Sequence, residues 1–163
     1  MEPTATHIPL LAAAIARTSG PVLELGSGEY STFLIHMMCG KDQRVVTADN
    51  DAAWMDKWAS MKSDTHRFVH ASDWSLLDVL PSQVGAERWG VVFVDHWPPH
   101  RRAVEIGRVR EHAQLIVAHD TENSQCEYGS VLPRFSYRYD MKTNTPWTSV
   151  VSMYDALDAF VTV

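Results

Sequence analysis

The apolar positions of this chain change period along its length, and the changes mark out the elements. Residues 7–17 carry apolar side chains at helical spacing, with Thr6 placed to cap the helix and Pro9 tolerated in its first turn. Ser19-Gly20-Pro21 ends that run. Residues 22–25 (VLEL) then read as a short buried strand, Gly26-Ser27-Gly28 as a turn, and residues 31–39 as a helix. The same alternation predicts strands over 44–48, 67–71, 90–94 and 114–118. Between them it predicts helices over 51–61 and 74–80, and one that Pro98 and Pro99 open and that runs to residue 110. Trp54, Trp58 and Met61 supply the inner face of the first of these, and Ala103, Ile106 and Val109 that of the last. Beyond residue 118 the period shortens to two: Phe135, Tyr137, Tyr139 and Met141 alternate with Ser136, Arg138 and Asp140. That pattern predicts a half-exposed strand, paired through a turn at Asn144-Thr145-Pro146 with a last strand over 148–153.

Continuous apolar strands alternating with helices imply an α/β fold, a doubly wound and mostly parallel sheet with helices on both faces. The terminal alternating pair adds an antiparallel edge. No repeat or linker interrupts the pattern, so the expectation is one domain over 1–163, a helix within 1–20 preceding a core over 21–163.

Composition narrows the function. Of 163 residues, 45% are hydrophobic and 21% charged, the balance of an ordinary globular domain. A net charge of −6 argues against nonspecific nucleic-acid binding, which depends on phosphate neutralisation by Lys and Arg. Eight histidines exceed what a core needs, so some are candidates for proton transfer or metal binding. Cys39 and Cys126 fit no metal spacing and read as two thiols rather than a disulfide. The longest apolar stretch, residues 8–16, is far short of the roughly 20 a membrane span needs. The expectation is a cytoplasmic protein with no membrane or nucleic-acid partner.

Ligands of such sheets sit at the carboxyl ends of the strands, so the residues after each strand are where chemistry is sought. Gly26 and Gly28 flank Ser27 and let the backbone turn tightly beside a ligand, ahead of a helix whose first N–H groups are free. An acidic residue, Asp49, follows about 20 positions later, as in nucleotide-binding turns. Glu29 stands where a pyrophosphate would lie, and Ser31 where a dinucleotide site wants Gly or Ala. A carboxylate there repels phosphates and tolerates a zwitterionic sulfonium. Its alternative role is to complement the helix dipole.

The run Glu24-Leu25-Gly26-Ser27-Gly28 resembles the first motif of the class I S-adenosylmethionine (SAM)-dependent methyltransferases, with Tyr30 in place of the third glycine and Ser31-Thr32 following. The resemblance spans residues 21 to about 154 and implies a strand order of 3-2-1-4-5-7-6, the last strand antiparallel. It implies a cofactor site built from Glu24, Gly26, Ser27, Gly28, Tyr30, Ser31 and Thr32. Asp49, with Asn50 beside it, would grip the ribose hydroxyls, and Asp73 and Trp74 would hold adenine by hydrogen bond and stacking. Asp95 would meet the methionine amino group, a substrate or a metal. Asp49 and Asp73 equally suit caps of the helices that follow them.

Asp95-His96-Trp97-Pro98-Pro99-His100 and His119-Asp120-Thr121-Glu122 end neighbouring strands and imply a cluster at one rim. In one mechanism His119 or Asp120 is the general base and Asp95 a partner in catalysis. In the other, Asp95 and Asp120 hold a divalent cation as in catechol-type O-methyltransferases, although His119-Asp120 does not reproduce their Asp-Asn pair; the reading without metal is favoured. His96 and His100 read as surface residues, Arg101, Arg102, Arg108 and Arg110 as a solvated basic face, and Trp54 and Trp58 as core or rim. Residues 146–148 open the last strand near the substrate mouth. The resulting expectation is methyl transfer from SAM to a hydroxyl or amine of a small-molecule acceptor, at a mouth open or completed by a second copy in a homodimer. The rivals are a noncatalytic module of the same fold and a nicotinamide-dependent dehydrogenase.

Overall fold

The computed structural model describes residues 5–160; the expected domain limits at 1 and 163 lie outside them. Seven strands form one sheet: β1 (Val22–Leu25), β2 (Val45–Asp49), β3 (His66–His70), β4 (Trp89–Val94), β5 (Ala113–His119), β6 (Tyr137–Met141) and β7 (Thr148–Ser152). Their spatial order is β3-β2-β1-β4-β5-β7-β6, with β7 antiparallel to both neighbours and the rest parallel, as the sequence resemblance implies. The helices are α1 (Ile8–Ala16), α2 (Ser31–Cys39), α3 (Ala52–Met55) and α4 (Arg101–Val109).

Alternate side chains of the central strands serve two cores. Leu23, Leu25, Val92 and Val94 pack with Ala103, Ile106 and Val109 of α4. Val22, Val91 and Phe93 pack on the opposite face with Leu10, Leu11 and Ile15 of α1 and Ile35 of α2. The two helix layers thereby hold the tips of β1, β2, β4 and β5 at one edge. Cys39 and Cys126 are buried free thiols, and no helix among the described residues is long and apolar enough to cross a membrane.

Three expected helices are shorter than their patterns. The run over 51–61 forms one α turn, α3, then continues as a 3₁₀ helix, Asp56–Met61, with no buried side chain in either part. The run over 74–80 stops after a single 3₁₀ turn, Trp74–Leu76; Leu77 and Val79 then alternate into the core with exposed Asp78, a period of two. α4 starts at Arg101, two residues past the proline pair. Thr6 is not the N-cap of α1, which is His7; its hydroxyl donates to the Pro146 carbonyl.

Candidate active site

The turn after β1 is fixed by its first glycine. Gly26 has φ +95°, and a Cβ there would lie 2.6 Å from the backbone of His96, so the β1 and β4 tips touch. The turn is also tethered from below. Thr32 accepts a hydrogen bond from Gly28 N–H (2.9 Å) and donates to the fully buried Glu24, which also accepts from Thr47 (2.7 Å). Because Thr47 donates to Glu24, it must accept from His66 Nε2 (2.9 Å), and the bare His66 Nδ1 accepts from His36 Nδ1 (3.0 Å). Burial raises the Glu24 carboxyl to about 7 despite its hydrogen bonds from Ser31, Thr47 and Thr32. Glu24 and Thr32 thus hold the turn from inside and are not on the cavity wall.

Asp49 crosses from the tip of β2 to the same turn. One carboxylate oxygen accepts from both Ser27 N–H (2.7 Å) and Ser27 Oγ (2.8 Å), the other from Asp51 N–H (2.9 Å). The cap of α3 is the neighbouring Asp51, which accepts from Trp54 N–H. Trp54 donates its indole N–H to the Ser27 carbonyl (2.8 Å).

Above these groups lies a cavity of about 690 Å³, lined by Gly26, Ser27, Asp49, Asn50, Asp95 and Trp97, with the β2 and β4 tips flanking that of β1. A second of about 280 Å³ shares Trp54 and Asp95 with it and adds His7, Gly28, Tyr30 and Ser31. Trp74 takes no part in either wall, contrary to the stacking role implied for it. It is 4% exposed, packs on the His96 ring at 4.2 Å and donates its N–H to the Trp97 carbonyl, so it supports the rim from behind. Asp73 caps its own 3₁₀ turn through Ser75 N–H and Oγ. The indole offering a free face is Trp97, 68% exposed and on the wall.

At the β4 and β5 tips, Asp95, His119 and Asp120 do converge, but around an arginine. Arg102, read from sequence as part of a solvated face, is 7% exposed. Its guanidinium meets Asp95 Oδ1 at 3.0 Å and Asp120 Oδ2 at 2.7 Å and donates to the carbonyls of His96 and Asp95. A cation already bridges Asp95 and Asp120, so this pair does not fit a divalent metal. His96, too, is buried rather than on the surface, while His100 is exposed.

His119 is engaged at both ring nitrogens. The Thr6 hydroxyl spends its proton on Pro146 O (2.7 Å), so it accepts from His119 Nε2 (3.0 Å), while Nδ1 faces Asp95 Oδ2 at 3.1 Å. Facing two acceptors, His119 is stabilised in its doubly protonated, imidazolium form. Burial lowers its basicity, but the hydrogen bond and charge of Asp95, with Asp120, outweigh that and raise its pKa. Asp95 is correspondingly held below its ordinary value: burial would raise it, but His119 and Arg102 prevail. His7 lies beside this pair. It is 2% exposed, neither ring nitrogen has a hydrogen-bond partner among the described residues, and its ligand atom, with those of Asp95 and His119, lies within 4.8 Å of the others. Burial and the His119 charge lower its pKa to about 4, against the opposing pull of Asp95. Sequence reading missed His7 and Arg102; the eight histidines were the only hint of the first, and nothing local pointed to the second.

No protein-family model and no curated protein matches the chain. Solved structures do. An O-methyltransferase from Bacillus cereus in complex with SAH is 18% identical over 93% of this chain and 82% of its own, with a TM-score of 0.66. The O-methyltransferase TomG from Streptomyces achromogenes, in complex with SAM, is 16% identical over 89% and 78%, with a TM-score of 0.62. The N-methyltransferase NodS from Bradyrhizobium japonicum is 11% identical over 89% and 91%, at 0.60. On these overlaps the chain has the Rossmann-like fold of the SAM-dependent methyltransferases.

Proposed function

We propose that this protein binds SAM and transfers its methyl group to a hydroxyl or amine of a small molecule. The observation that carries the reading is Asp49. Its carboxylate lies on the cavity wall at the tip of β2 and is tied to the glycine turn, where it suits a ribose diol. Asp95 at the β4 tip is anionic and suits the ammonium of an amino acid moiety. Trp97 offers a flat apolar face for a base. Glu29 on the wall of the smaller cavity disfavours a pyrophosphate, which weighs against the dehydrogenase alternative. When bound, SAM supplies an electrophilic methyl on a sulfonium, so the protein's tasks are alignment, exclusion of water and management of one proton. The adjoining cavity of about 280 Å³ offers room for a small-molecule acceptor.

Calorimetry with SAH and with NAD tests the reading. SAH should bind in the micromolar range and NAD not at all. Asp49→Asn, which keeps the size but removes the charge, should weaken SAH about 10-fold to 100-fold, the range for loss of one or two charge-assisted hydrogen bonds. NAD binding, or SAH affinity untouched by the substitution, would sink it. Methyl transfer from labelled SAM to a metabolite extract separates the enzyme from a noncatalytic module.

A further inference from the structure

The cluster at the strand tips contains five side chains able to take a proton, His7, Asp95, His96, His119 and Asp120, and their partners and positions distinguish them. His119 already carries two protons, one directed at Thr6 and one at Asp95. Asp120 is spent on Arg102 at 2.7 Å. His119 thus has no lone pair for an acceptor's proton. Asp95 and Asp120 keep lone pairs, but a proton on either would disrupt its ion pair with Arg102, and neither Asp120 nor His96 lines the smaller cavity, contrary to the base roles the sequence suggested for His119 and Asp120. His7 is the reverse case. His7 lines the smaller cavity with Tyr30, Ser31 and Trp54, and both of its ring nitrogens are buried with no hydrogen-bond partner among the described residues. A buried imidazole with two unsatisfied nitrogens costs stability, and such a cost persists where a ligand repays it.

We propose that His7 is the catalytic base of this site and that it serves a neutral hydroxyl acceptor. The inference rests on the methyltransferase reading and deepens it. In the step, the acceptor oxygen forms a bond to the methyl carbon and the carbon–sulfur bond breaks, its electron pair remaining on sulfur as the thioether. The hydroxyl proton passes to a ring nitrogen of His7 and from there to water. The positive charge that leaves the sulfonium therefore reappears on His7, and the total is unchanged.

The surroundings of His7 match this task. Its ring stands edge-on to the His119 ring at 4.9 Å and tilted on Phe93 at 4.8 Å. The charged groups around it are the His119 imidazolium, the Asp95 carboxylate and, lining the same cavity, Glu29. Burial first, and the adjacent cation second, keep His7 unprotonated, with a pKa of about 4, so it is ready at any physiological pH. A base this weak cannot strip an alkylammonium, but it suffices for a hydroxyl that becomes strongly acidic as the methyl bonds to it. Asp95 and Glu29 repel an acceptor that arrives as an anion, which favours the neutral hydroxyl form.

Two measurements test the proposal. The first uses NMR of the full chain with ring-labelled histidine, His7 being assigned by its loss in His7→Gln. Its ring should be neutral at pH 7, titrate near pH 4 and shift on addition of SAH. The second follows transfer of a deuterated methyl from SAM to para-cresol, a protonated phenol, and to para-nitrophenol, which is ionised at pH 8. His7→Gln and His7→Asn should lower kcat for para-cresol by about 100-fold or more, leave para-nitrophenol within about threefold, and leave SAH affinity within about twofold. Equal losses on both phenols would reduce His7 to a structural role. A His7 that is charged at pH 7, or zinc binding that disappears with His7→Gln, would also overturn the proposal. If the wild-type chain binds no SAH, the cofactor reading fails first, and the calorimetry above detects that independently.

Discussion

Gly26 and Gly28 look equivalent in a G-x-G pattern, yet the structure asks different things of them. At Gly26 a Cβ would lie 2.6 Å from the His96 backbone, in a conformation that L side chains rarely adopt. Backbone cannot swing aside as a flexible side chain does. Gly26→Ala should therefore cost about 2 kcal/mol or more, lowering Tm by roughly 4–8 °C for a domain of this size. At Gly28 the added Cβ meets only the Ser31 hydroxyl at 3.0 Å. Gly28→Ala should change Tm by less than half as much, and parallel thermal melts of the two variants check the ordering. The first glycine holds two strand tips in register, and that register brings Asp95 and Asp49 to one cavity.

Among the elements, α4 shows what a hydrophobic pattern can and cannot disclose. Ala103, Ile106 and Val109 announce its inner face, and they are buried as their spacing implies. Arg102 belongs to the same face but lies in the first turn, beside the strand tips, where it encounters Asp95 and Asp120. Periodicity gives its sign and not that meeting, because the carboxylates arrive from β4 and β5. Gly26, Asp49 and Asp95 were legible because each ends its own strand. His7 was not, because α1 meets β5 only in three dimensions. Trp74–Leu76 failed as a longer helix for a tertiary reason too: Trp89 donates to Val79 O and Arg108 to Leu77 O, which hold the following segment extended. Arg102→Lys keeps the charge but loses the fork that bonds four groups at once. It should destabilise the fold by about 2 kcal/mol in urea titration, less than the full loss of a buried pair because Asp95 and Asp120 are each about one-quarter exposed. It should also weaken SAH, since Asp95 loses one of the two groups that orient it.

Across the whole molecule, buried ionisable groups set opposing slopes of stability against pH. His7, His66 and His96 are held neutral by burial, titrating near 4, 4 and 3 when folded against an ordinary 6.5. Unfolding lets each take up a proton below pH 6.5, so acid destabilises the fold from there downward. Glu24 acts in the other direction. Its carboxyl titrates near 7 when folded against an ordinary 4.5, so the folded chain retains a proton that the unfolded chain releases, and stability falls as pH rises between those values. His119, raised above 6.5, contributes fully below that pH and loses its contribution as pH climbs through its folded value. Between pH 4.5 and 6.5 three proton uptakes oppose one retention, and above 6.5 only the losses from Glu24 and His119 remain. Stability should therefore peak close to pH 6.5 and decline on the acid side by roughly 1–3 kcal/mol per pH unit. Urea midpoints measured from pH 4.5 to 8 would show the peak. Glu24→Gln, which keeps one acceptor oxygen for the threonine hydroxyls but cannot ionise, should flatten the alkaline limb and leave the acid limb in place. A profile rising monotonically to pH 8 would mean that the Glu24 carboxyl is not confined in the core. The tether from Thr32 to the glycine turn would then rest on an ordinary carboxylate.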